Sequence, residues 1–303
     1  MKGEGQVLAM RETGLRFRLV VLAELVKLRL TLLVLLTMGV GFYLATKGQL
    51  EGVLLLQALF GTALVAAGAA ALNQYLEKDY DARMPRTAGR PIPAGHIRPE
   101  MALLFGGAMA VIGLVYLAWA VNPLTSVLGA VTLVSYVLVY TPLKRVTTWN
   151  TAIGAVPGAL PPLMGWTAAG GAQAAITMEG LALVAILLFW QLPHFLAISW
   201  IYKGEYARAN FVMLAVEDKA GVRTGRHAVG HVLVLLLASA LPFALGMAGV
   251  FYLVGAMALG VYFLIQALRF ARKRTVDEAR CLFYGSILYL PLLLGLMVLD
   301  KAS

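Results

Sequence analysis

Three side chains with oxygen ligands recur at intervals of four residues in the first third of the sequence. They are Asn73, Glu77 and Asp81, and on a continuing helix this spacing places all three on one ridge. Like charges one turn apart destabilise a bare helix, and a bound divalent cation removes that conflict. Oxygen ligands suit Mg²⁺, which is usually held by one or two carboxylates together with substrate phosphates. The spacing therefore predicts a magnesium site, whereas Asp79 points about 160° away from the ridge.

Basic residues follow the ridge within a few positions. Arg86 and Arg90 are again four residues apart, and a guanidinium group matches two phosphate oxygens at once. Pro85, Pro91 and Pro93 stop the helix and stiffen the loop that carries these arginines. Carboxylates followed by an arginine pair predict a Mg²⁺-diphosphate site. The alternative is a surface loop with internal salt bridges. However, charged residues at the end of an apolar span are energetically unfavourable unless they serve a function.

Two later segments carry polar residues at comparable positions. Lys144 and Arg145 follow the fourth apolar run, where they either anchor the helix or add positive charge for a diphosphate. Glu205 begins a segment, Glu-Tyr-Ala-Arg, that echoes the one after the second run, so we expect two acidic loops to clasp one diphosphate. His194 lies inside an apolar run, just after the helix-breaking Pro193. It is either hydrogen-bonded within the bundle or in contact with a large planar substrate.

The elements that must position these residues are apolar helices. The chain has 303 residues, of which 60% are hydrophobic and 13% charged, and its mean hydropathy is +0.81. Soluble domains are about 45–50% apolar and about 25% charged, so the composition excludes a water-soluble fold and a disordered chain. The single cysteine, Cys281, excludes an internal disulfide and a thiolate metal cluster.

Runs of about 20 apolar residues predict an all-α integral membrane protein with nine transmembrane helices around a central cavity that opens to the cytoplasm. We expect one membrane-embedded domain over residues 1–303, with a cytoplasmic segment at 1–18 and active-site loops at about 73–101 and 202–227. The nine predicted spans lie near residues 28–46, 52–72, 102–121, 124–141, 151–168, 180–201, 228–248, 250–268 and 282–299.

Basic residues set the predicted orientation. If the N-terminus shares one side with the loops after even-numbered spans, that side receives 23 of the 25 lysines and arginines, and only Lys47 and Lys301 lie opposite. The positive-inside rule makes that side cytoplasmic and puts the C-terminus outside, in a multi-pass protein of the bacterial cytoplasmic membrane. Twelve of the fifteen acids lie on the same side, which indicates a polar site there. The net charge of +10 thus needs no nucleic-acid partner.

The motifs resemble those of the UbiA-type intramembrane prenyltransferases. The pattern N-x₃-[DE]-x₃-D at residues 73–81 is similar to the first aspartate-rich motif of that family. More narrowly, four segments in order look like its haem O synthase (protoheme IX farnesyltransferase) branch. Those segments are N-x₃-E-x-D-x-D-x₂-M-x-R-T-x₂-R-P at 73–91, Y-T-P-L-K-R at 140–145, Q-L-P-H-F at 191–195 and E-Y-x₂-A-x₃-M-L at 205–214.

The resemblance implies a reaction and a set of roles. The 2-vinyl group of haem b would attack C1 of farnesyl diphosphate and water would add, giving haem O for haem-copper oxidases. Besides these substrates and the lipid bilayer, a haem A synthase or a terminal oxidase assembly would be a partner. The residues implied are Asn73, Glu77 and Asp81 for Mg²⁺, Asp79 and Glu205 as further catalytic acids, Arg86, Arg90, Lys144, Arg145 and Lys203 for diphosphate, and His194 for haem.

This sequence departs from the family pattern at three places. Position 77 is Glu where the family usually has Asp, which lengthens the reach to a metal. The wider family's second motif is D-x₃-D, but here those places hold Tyr202 and Tyr206, with one acid between them. After Leu214 the chain has Ala-Val-Glu217-Asp218, so the role of these two acids stays open.

Two other functions fit parts of the pattern. One is a related prenyltransferase that acts on an aromatic acid or a quinone precursor. The other is a transporter with an acidic cation site, which would carry polar residues near the midplanes of two matching halves. The acids of this chain cluster at one face instead, which favours the enzyme.

Overall fold

The computed structural model describes residues 14–302, so the predicted cytoplasmic segment 1–18 lies mostly outside the described residues. Within that range the chain is helical, and its single β-bridge joins Ala248 to Lys301. The helices are α1 (Leu15–Leu25), α2 (Leu28–Ala45), α3 (Gly52–Asp81), α4 (Pro99–Ala120), α5 (Pro123–Leu143), α6 (Asn150–Ala159), α7 (Pro161–Ala169), α8 (Met178–Ile201), α9 (Lys203–Arg208), α10 (Leu214–Glu217), α11 (Val222–Ala244), α12 (Val250–Lys273) and α13 (Val276–Leu299).

Eight of these helices are long and apolar enough to cross a membrane: α2, α3, α4, α5, α8, α11, α12 and α13. The all-helical membrane class is therefore confirmed. The predicted span at 151–168 is instead divided into α6 and α7, which meet at Leu160. Pro161 and Pro162 explain the break, because neither proline has a backbone N–H to donate to the preceding turn and each ring crowds a carbonyl of that turn.

The helix α3 continues well beyond the predicted span at 52–72. Its 30 residues run without interruption to Asp81, so the polar ridge is a continuation of a membrane helix. Small residues let α3 approach α4 closely. A Cβ placed on Gly68 would lie 2.7 Å from both the Ala110 nitrogen and the Gly106 carbonyl oxygen. This packing fixes α3 rigidly in the bundle.

The helix α5 contains a π-helical stretch at Ser135–Tyr140. One extra residue per turn shifts the side chains that follow, and such bulges are frequent at functional sites. The rings of Tyr136 and Tyr140 lie 5.7 Å apart, and the Thr141 hydroxyl donates to the Tyr136 carbonyl at 2.8 Å. The stretch thereby directs the end of α5 toward the polar ridge of α3.

Pro193 lies inside a continuous helix, in agreement with the predicted span at 180–201. The helix α8 runs through it from Met178 to Ile201. The helix α8 packs against several helices. Surrounding helices and polar side chains commonly let a membrane helix accommodate proline.

Candidate active site

The three predicted ligand residues lie on one buried face of α3. Asn73, Glu77 and Asp81 are 0%, 5% and 1% exposed, whereas the Asp79 side chain is 74% exposed and points away, as the spacing predicts. Each of the three accepts a hydrogen bond from a basic residue elsewhere in the chain. The pairs are Lys27 Nζ with Asn73 Oδ1 at 2.7 Å, Lys144 Nζ with Glu77 Oε1 at 2.7 Å, and Arg90 Nη1 with Asp81 Oδ2 at 2.6 Å.

Lys144 lies directly after α5 and faces the middle of the ridge. Its ammonium group sits 4.5 Å from the centre of the Tyr140 ring as well as against Glu77. Burial opposes its charge, but the Glu77 carboxylate and the neighbouring tyrosines outweigh burial and raise the pKa of Lys144 above its usual value. Lys144 is therefore held as a cation beside the ridge.

Lys27 is a site residue that the sequence analysis missed. It separates α1 from α2 in a left-handed backbone conformation with φ of 48°, and its Nζ also approaches the Tyr136 hydroxyl at 3.4 Å. Asn73 completes this contact by donating to the Thr141 hydroxyl at 3.0 Å. Burial lowers the pKa of Lys27 to about 7, and the positive charge of Arg90 acts in the same direction. In the sequence, a lysine next to an apolar run cannot be distinguished from a topology anchor.

The loop after α3 folds back over the end of the ridge. The Thr87 hydroxyl donates to the backbone carbonyl of Asp81 at 2.9 Å. The turn that results places the Arg90 guanidinium against the Asp81 carboxylate. Asp81 Oδ2 is satisfied by the arginine, but Oδ1 is buried and has no hydrogen-bond partner among the described residues. An unpaired buried carboxylate oxygen is costly, so this atom is available to a ligand.

The second predicted loop meets the first through Arg86. The Arg86 backbone N–H donates to Glu205 Oε2 at 3.2 Å, and its side chain donates to the Tyr206 hydroxyl at 3.4 Å. The guanidinium carbon also lies 5.1 Å from the centre of the Tyr202 ring. The tyrosines at the two places of the wider family's D-x₃-D motif thus contact an arginine, as expected for aromatic rings facing a cation.

Two adjoining pockets lie beside the ridge, each with an empty volume of about 300 Å³. They share Tyr140, Tyr206 and Met213 in their walls, so they are neighbours. The first is polar and has Glu77, Asp81, Arg86, Thr87, Arg90 and Lys144 in its wall. The second is less charged and extends along α6 and α8, with Asn150, Thr151, Phe195, Ile198 and Ser199 in its wall. The charges of the first wall suit a charged head group, and the second wall suits a less polar chain.

Several predicted residues lie outside the polar pocket. Arg145 donates to the Tyr80 hydroxyl at 3.0 Å, and Lys203 lies 3.9 Å from the centre of the Trp200 ring. Of the two acids whose role was open, Glu217 is exposed. Asp218 caps α11 by accepting from the Thr224 N–H at 2.7 Å and hydroxyl at 2.9 Å.

His194 lies on α8 and is fixed by a neighbouring helix. Its Nδ1 is 2.7 Å from the hydroxyl of Ser286 on α13. Its ring lies between those of Trp190 and Phe283, with centre-to-centre distances of 5.2 and 5.0 Å. Of the two predicted environments, the hydrogen bond within the bundle is present.

The described residues 14–302 contain no group of three or more histidine, cysteine, aspartate or glutamate side chains arranged to hold a metal ion. The ridge brings together two carboxylates and one amide, and Glu205 is engaged with Arg86 instead. Mg²⁺ usually takes only one or two carboxylates and completes its coordination with water and substrate phosphates. The donor set fits that mode of binding, and the free Asp81 Oδ1 supplies one oxygen.

Comparisons with known proteins agree with the motifs and the fold. A model of the UbiA prenyltransferase family matches residues 34–291. A protoheme IX farnesyltransferase of Solibacter usitatus (strain Ellin6076) is 45% identical over 287 residues, which cover 92% of this chain and 97% of that protein. A digeranylgeranylglyceryl phosphate synthase has a TM-score of 0.77 at 17% identity, with 93% of this chain and 98% of that chain covered.

A UbiA homolog from Archaeoglobus fulgidus, bound to GPP and Mg²⁺, has a TM-score of 0.65 at 14% identity and covers 91% of this chain and 99% of its own. At these identities the two solved structures show a shared fold. The family match spans more than half of the chain, and the 45% identical relative covers nearly all of it. This chain therefore belongs to the UbiA prenyltransferase family.

Proposed function

We propose that this protein transfers the farnesyl group of farnesyl diphosphate to the 2-vinyl group of haem b. The bond between C1 and the diphosphate oxygen breaks, and C1 bonds to the terminal vinyl carbon. Water adds its oxygen to the inner vinyl carbon and releases a proton, so the products are haem O and diphosphate. The name of the 45% identical relative, protoheme IX farnesyltransferase, supports this choice of substrates within the family.

The observation that carries the proposal is the polar pocket on α3, with a less charged pocket beside it. Glu77 and Asp81 form one wall and Arg86, Arg90 and Lys144 another, which suits a diphosphate accompanied by a divalent cation. Departure of a diphosphate requires its developing charge to be neutralised, and pre-positioned cations provide this. The neighbouring pocket along α8 is suited to the isoprenyl chain or the haem.

We assign Mg²⁺ to the ridge of Asn73, Glu77 and Asp81, where it would act as a Lewis acid on the leaving group. The solved UbiA homolog with GPP and Mg²⁺ supports this metal. The ends of the ridge are eight residues, or about 12 Å, apart along the helix. Mg²⁺ binds oxygen at about 2.1 Å, so Asn73 and Asp81 do not contact the same ion directly. Water molecules, diphosphate oxygens or a second ion would therefore supply the remaining ligands.

Before substrate enters, the basic residues of the pocket neutralise the ridge. Lys144 and Arg90 each pair with a carboxylate in the absence of diphosphate. If these carboxylates held Mg²⁺, Lys144 and Arg90 would be free to bind the diphosphate oxygens. Arg145 and Lys203 would join them only by leaving the aromatic rings of Tyr80 and Trp200.

We infer that α6 and α7 together make a ninth membrane crossing, since their residues 150–169 span about 30 Å when placed end to end. The N-terminus and the active-site loops then face the cytoplasm and the C-terminus faces outward. The contacts of Lys301 support this arrangement, because its Nζ donates to the carbonyls of Tyr43 and Thr46 at the end of α2. The two basic residues expected outside, Lys47 and Lys301, therefore lie at the same end of the bundle.

The test uses the purified chain in lipid nanodiscs with haem b and farnesyl diphosphate, and mass spectrometry to detect farnesylated haem. We expect product with Mg²⁺ and none with EDTA, and no product from Asp81→Asn. Glu100→Gln is the matched control, because Glu100 is an exposed acid in the first turn of α4. Undiminished product in EDTA would contradict the metal assignment. A prenylated hydroxybenzoate in place of haem O would instead identify a related prenyltransferase.

A further inference from the structure

One residue of the loop between α9 and α10 is held at both of its backbone groups. The Val212 N–H donates to the Lys144 carbonyl at 2.8 Å, and the Val212 carbonyl accepts from Asn150 Nδ2 at 2.7 Å. Both partners belong to the connection between α5 and α6, and Asn150 is 62 residues from Val212 in the chain. The loop is therefore fastened to the same connection that carries Lys144 to the polar ridge.

The Asn150 side chain is fully buried, and each of its polar atoms has a partner. Besides Val212, its Nδ2 donates to the Thr147 carbonyl at 2.5 Å, and its Oδ1 accepts from the Thr151 hydroxyl at 3.2 Å. An amide turned the other way would place its oxygen against two carbonyl oxygens, which cannot donate. These contacts fix the orientation of the amide, so Asn150 holds the Val212 carbonyl in one position.

The side chains on either side of Val212 line the pockets. Phe211 is in the wall of the polar pocket and stacks on the Tyr80 ring at a centre-to-centre distance of 5.6 Å. Met213 is in the walls of both pockets. The two side chains are only 4% and 5% exposed. The position of the wall that the two pockets share therefore depends on how Val212 is held.

We propose that Asn150 is a positioning residue that, by holding Val212, keeps Met213 in the shared wall and so excludes water from C1 of the bound isoprenyl diphosphate. The inference rests on the proposed function, because it takes farnesyl diphosphate as the substrate. When the bond between C1 and the diphosphate oxygen breaks, C1 reacts with the nucleophile that reaches it. Attack by a water oxygen, with release of a proton, gives farnesol and diphosphate. Exclusion of water from the site suppresses such side reactions.

The experiment measures how the products divide between farnesylated haem and farnesol. The purified chain in lipid nanodiscs receives farnesyl diphosphate, Mg²⁺ and haem b, and mass spectrometry quantifies both products. We expect Asn150→Ala to raise the ratio of farnesol to farnesylated haem roughly 10–100-fold, since a displacement of about 1 Å within a site can have effects of about 100-fold.

Asn122→Ala is the matched control for this substitution. Asn122 is also a buried asparagine whose Nδ2 donates to a backbone carbonyl, that of Thr167 at 3.0 Å, but it lies at the opposite end of α5. Asn122→Ala therefore removes a similar contact and should leave the product ratio unchanged. An unchanged ratio in Asn150→Ala, or an equal rise in Asn122→Ala, would show a general packing role and overturn the proposal.

Met213 provides a second measurement that leaves Asn150 intact. Met213→Ala should raise the ratio as Asn150→Ala does, whereas Met213→Leu, which conserves side-chain volume, should stay near wild type. Because both residues act on one wall, the double variant Asn150→Ala, Met213→Ala should not exceed the larger single effect. Effects that multiply would show that Asn150 does not act through Met213.

Two outcomes separate this inference from the proposed function. If wild type makes farnesylated haem and the product ratio is unchanged in Asn150→Ala and Met213→Ala, only this inference fails. If wild type makes no farnesylated haem, the proposed function fails. In that case, faster release of farnesol by Asn150→Ala than by wild type would still support exclusion of water, and equal release would overturn it.

Discussion

The buried pair between Lys144 and Glu77 gives a sharp test of how this site is stabilised. The ammonium and carboxylate groups are 2.7 Å apart, and their side chains are only 13% and 7% exposed. Removing one partner of a buried pair leaves an uncompensated charge and costs about 3–5 kcal/mol. Lys27 and Arg90 also act on Glu77, so we expect Lys144→Met to lose about 3 kcal/mol, at the lower end of that range.

A double-mutant cycle separates this charge effect from simple loss of packing. Glu77→Gln removes the charge that Lys144→Met leaves unpaired, so the double variant should be more stable than the sum of the two single effects by about 2–3 kcal/mol. The assay is the free energy of unfolding in mixed micelles, measured without Mg²⁺ for all four proteins. Additive losses would refute the view that the pair neutralises the ridge.

Stabilisation by added Mg²⁺ is an independent measurement on the same pair. If the metal takes over the role of Lys144, added Mg²⁺ should stabilise Lys144→Met more than it stabilises wild type, because a ligand of the folded state stabilises by mass action. The double variant, which lacks the Glu77 charge, should gain less than Lys144→Met. Equal stabilisation of all variants would show that Mg²⁺ does not bind at Glu77. Farnesyl transfer should be lost in all three variants, whatever their stability.

Three further outcomes are expected. Lys27→Met should lower kcat/KM for farnesyl diphosphate at least 10-fold with little loss of secondary structure by circular dichroism; unchanged kinetics would remove Lys27 from the site. Gly41→Ala should destabilise the bundle by about 1–3 kcal/mol because its Cβ would meet the carbonyl of Pro162, whereas Gly39→Ala, with nothing within 4 Å, should not. Burial alone would raise the pKa of Asp218, but its hydrogen bonds from Thr224 outweigh burial and hold it below the usual value. These hydrogen bonds should stabilise the folded protein above the usual carboxyl pKa, and this stabilisation should be lost as the pH falls through the lowered pKa of Asp218. Plots of unfolding free energy against pH for Asp218→Asn should lack this loss at acid pH.

The spacing of polar residues within an apolar chain was enough to predict the polar ridge of the candidate site. Four-residue intervals put Asn73, Glu77 and Asp81 on one face wherever a helix continues, and α3 does continue through them. The motif pattern also identified the family, which the family match confirms. These features depend on local periodicity and composition, which the sequence carries directly.

Other features depend on contacts between distant parts of the chain. The lysine before α2 is 46 residues from Asn73, and Ser286 is 92 residues from His194. No local pattern distinguishes such partners from a topology anchor or an ordinary helix residue. The π-helical turn of α5 is likewise absent from the sequence pattern, because one inserted residue per turn is stabilised by the packing around it.

The sequence by itself therefore determined the class of the protein, eight long apolar helices among the described residues and the identity of the polar ridge. The tertiary structure decided which charges meet: Lys27, Lys144 and Arg90 each reach one ridge residue from a different segment. It also decided that the predicted fifth span breaks at Leu160 and that α8 does not break at Pro193. The physical reason is that a buried charge or an interrupted helix is stable only with partners that satisfy it, and folding alone brings those partners together.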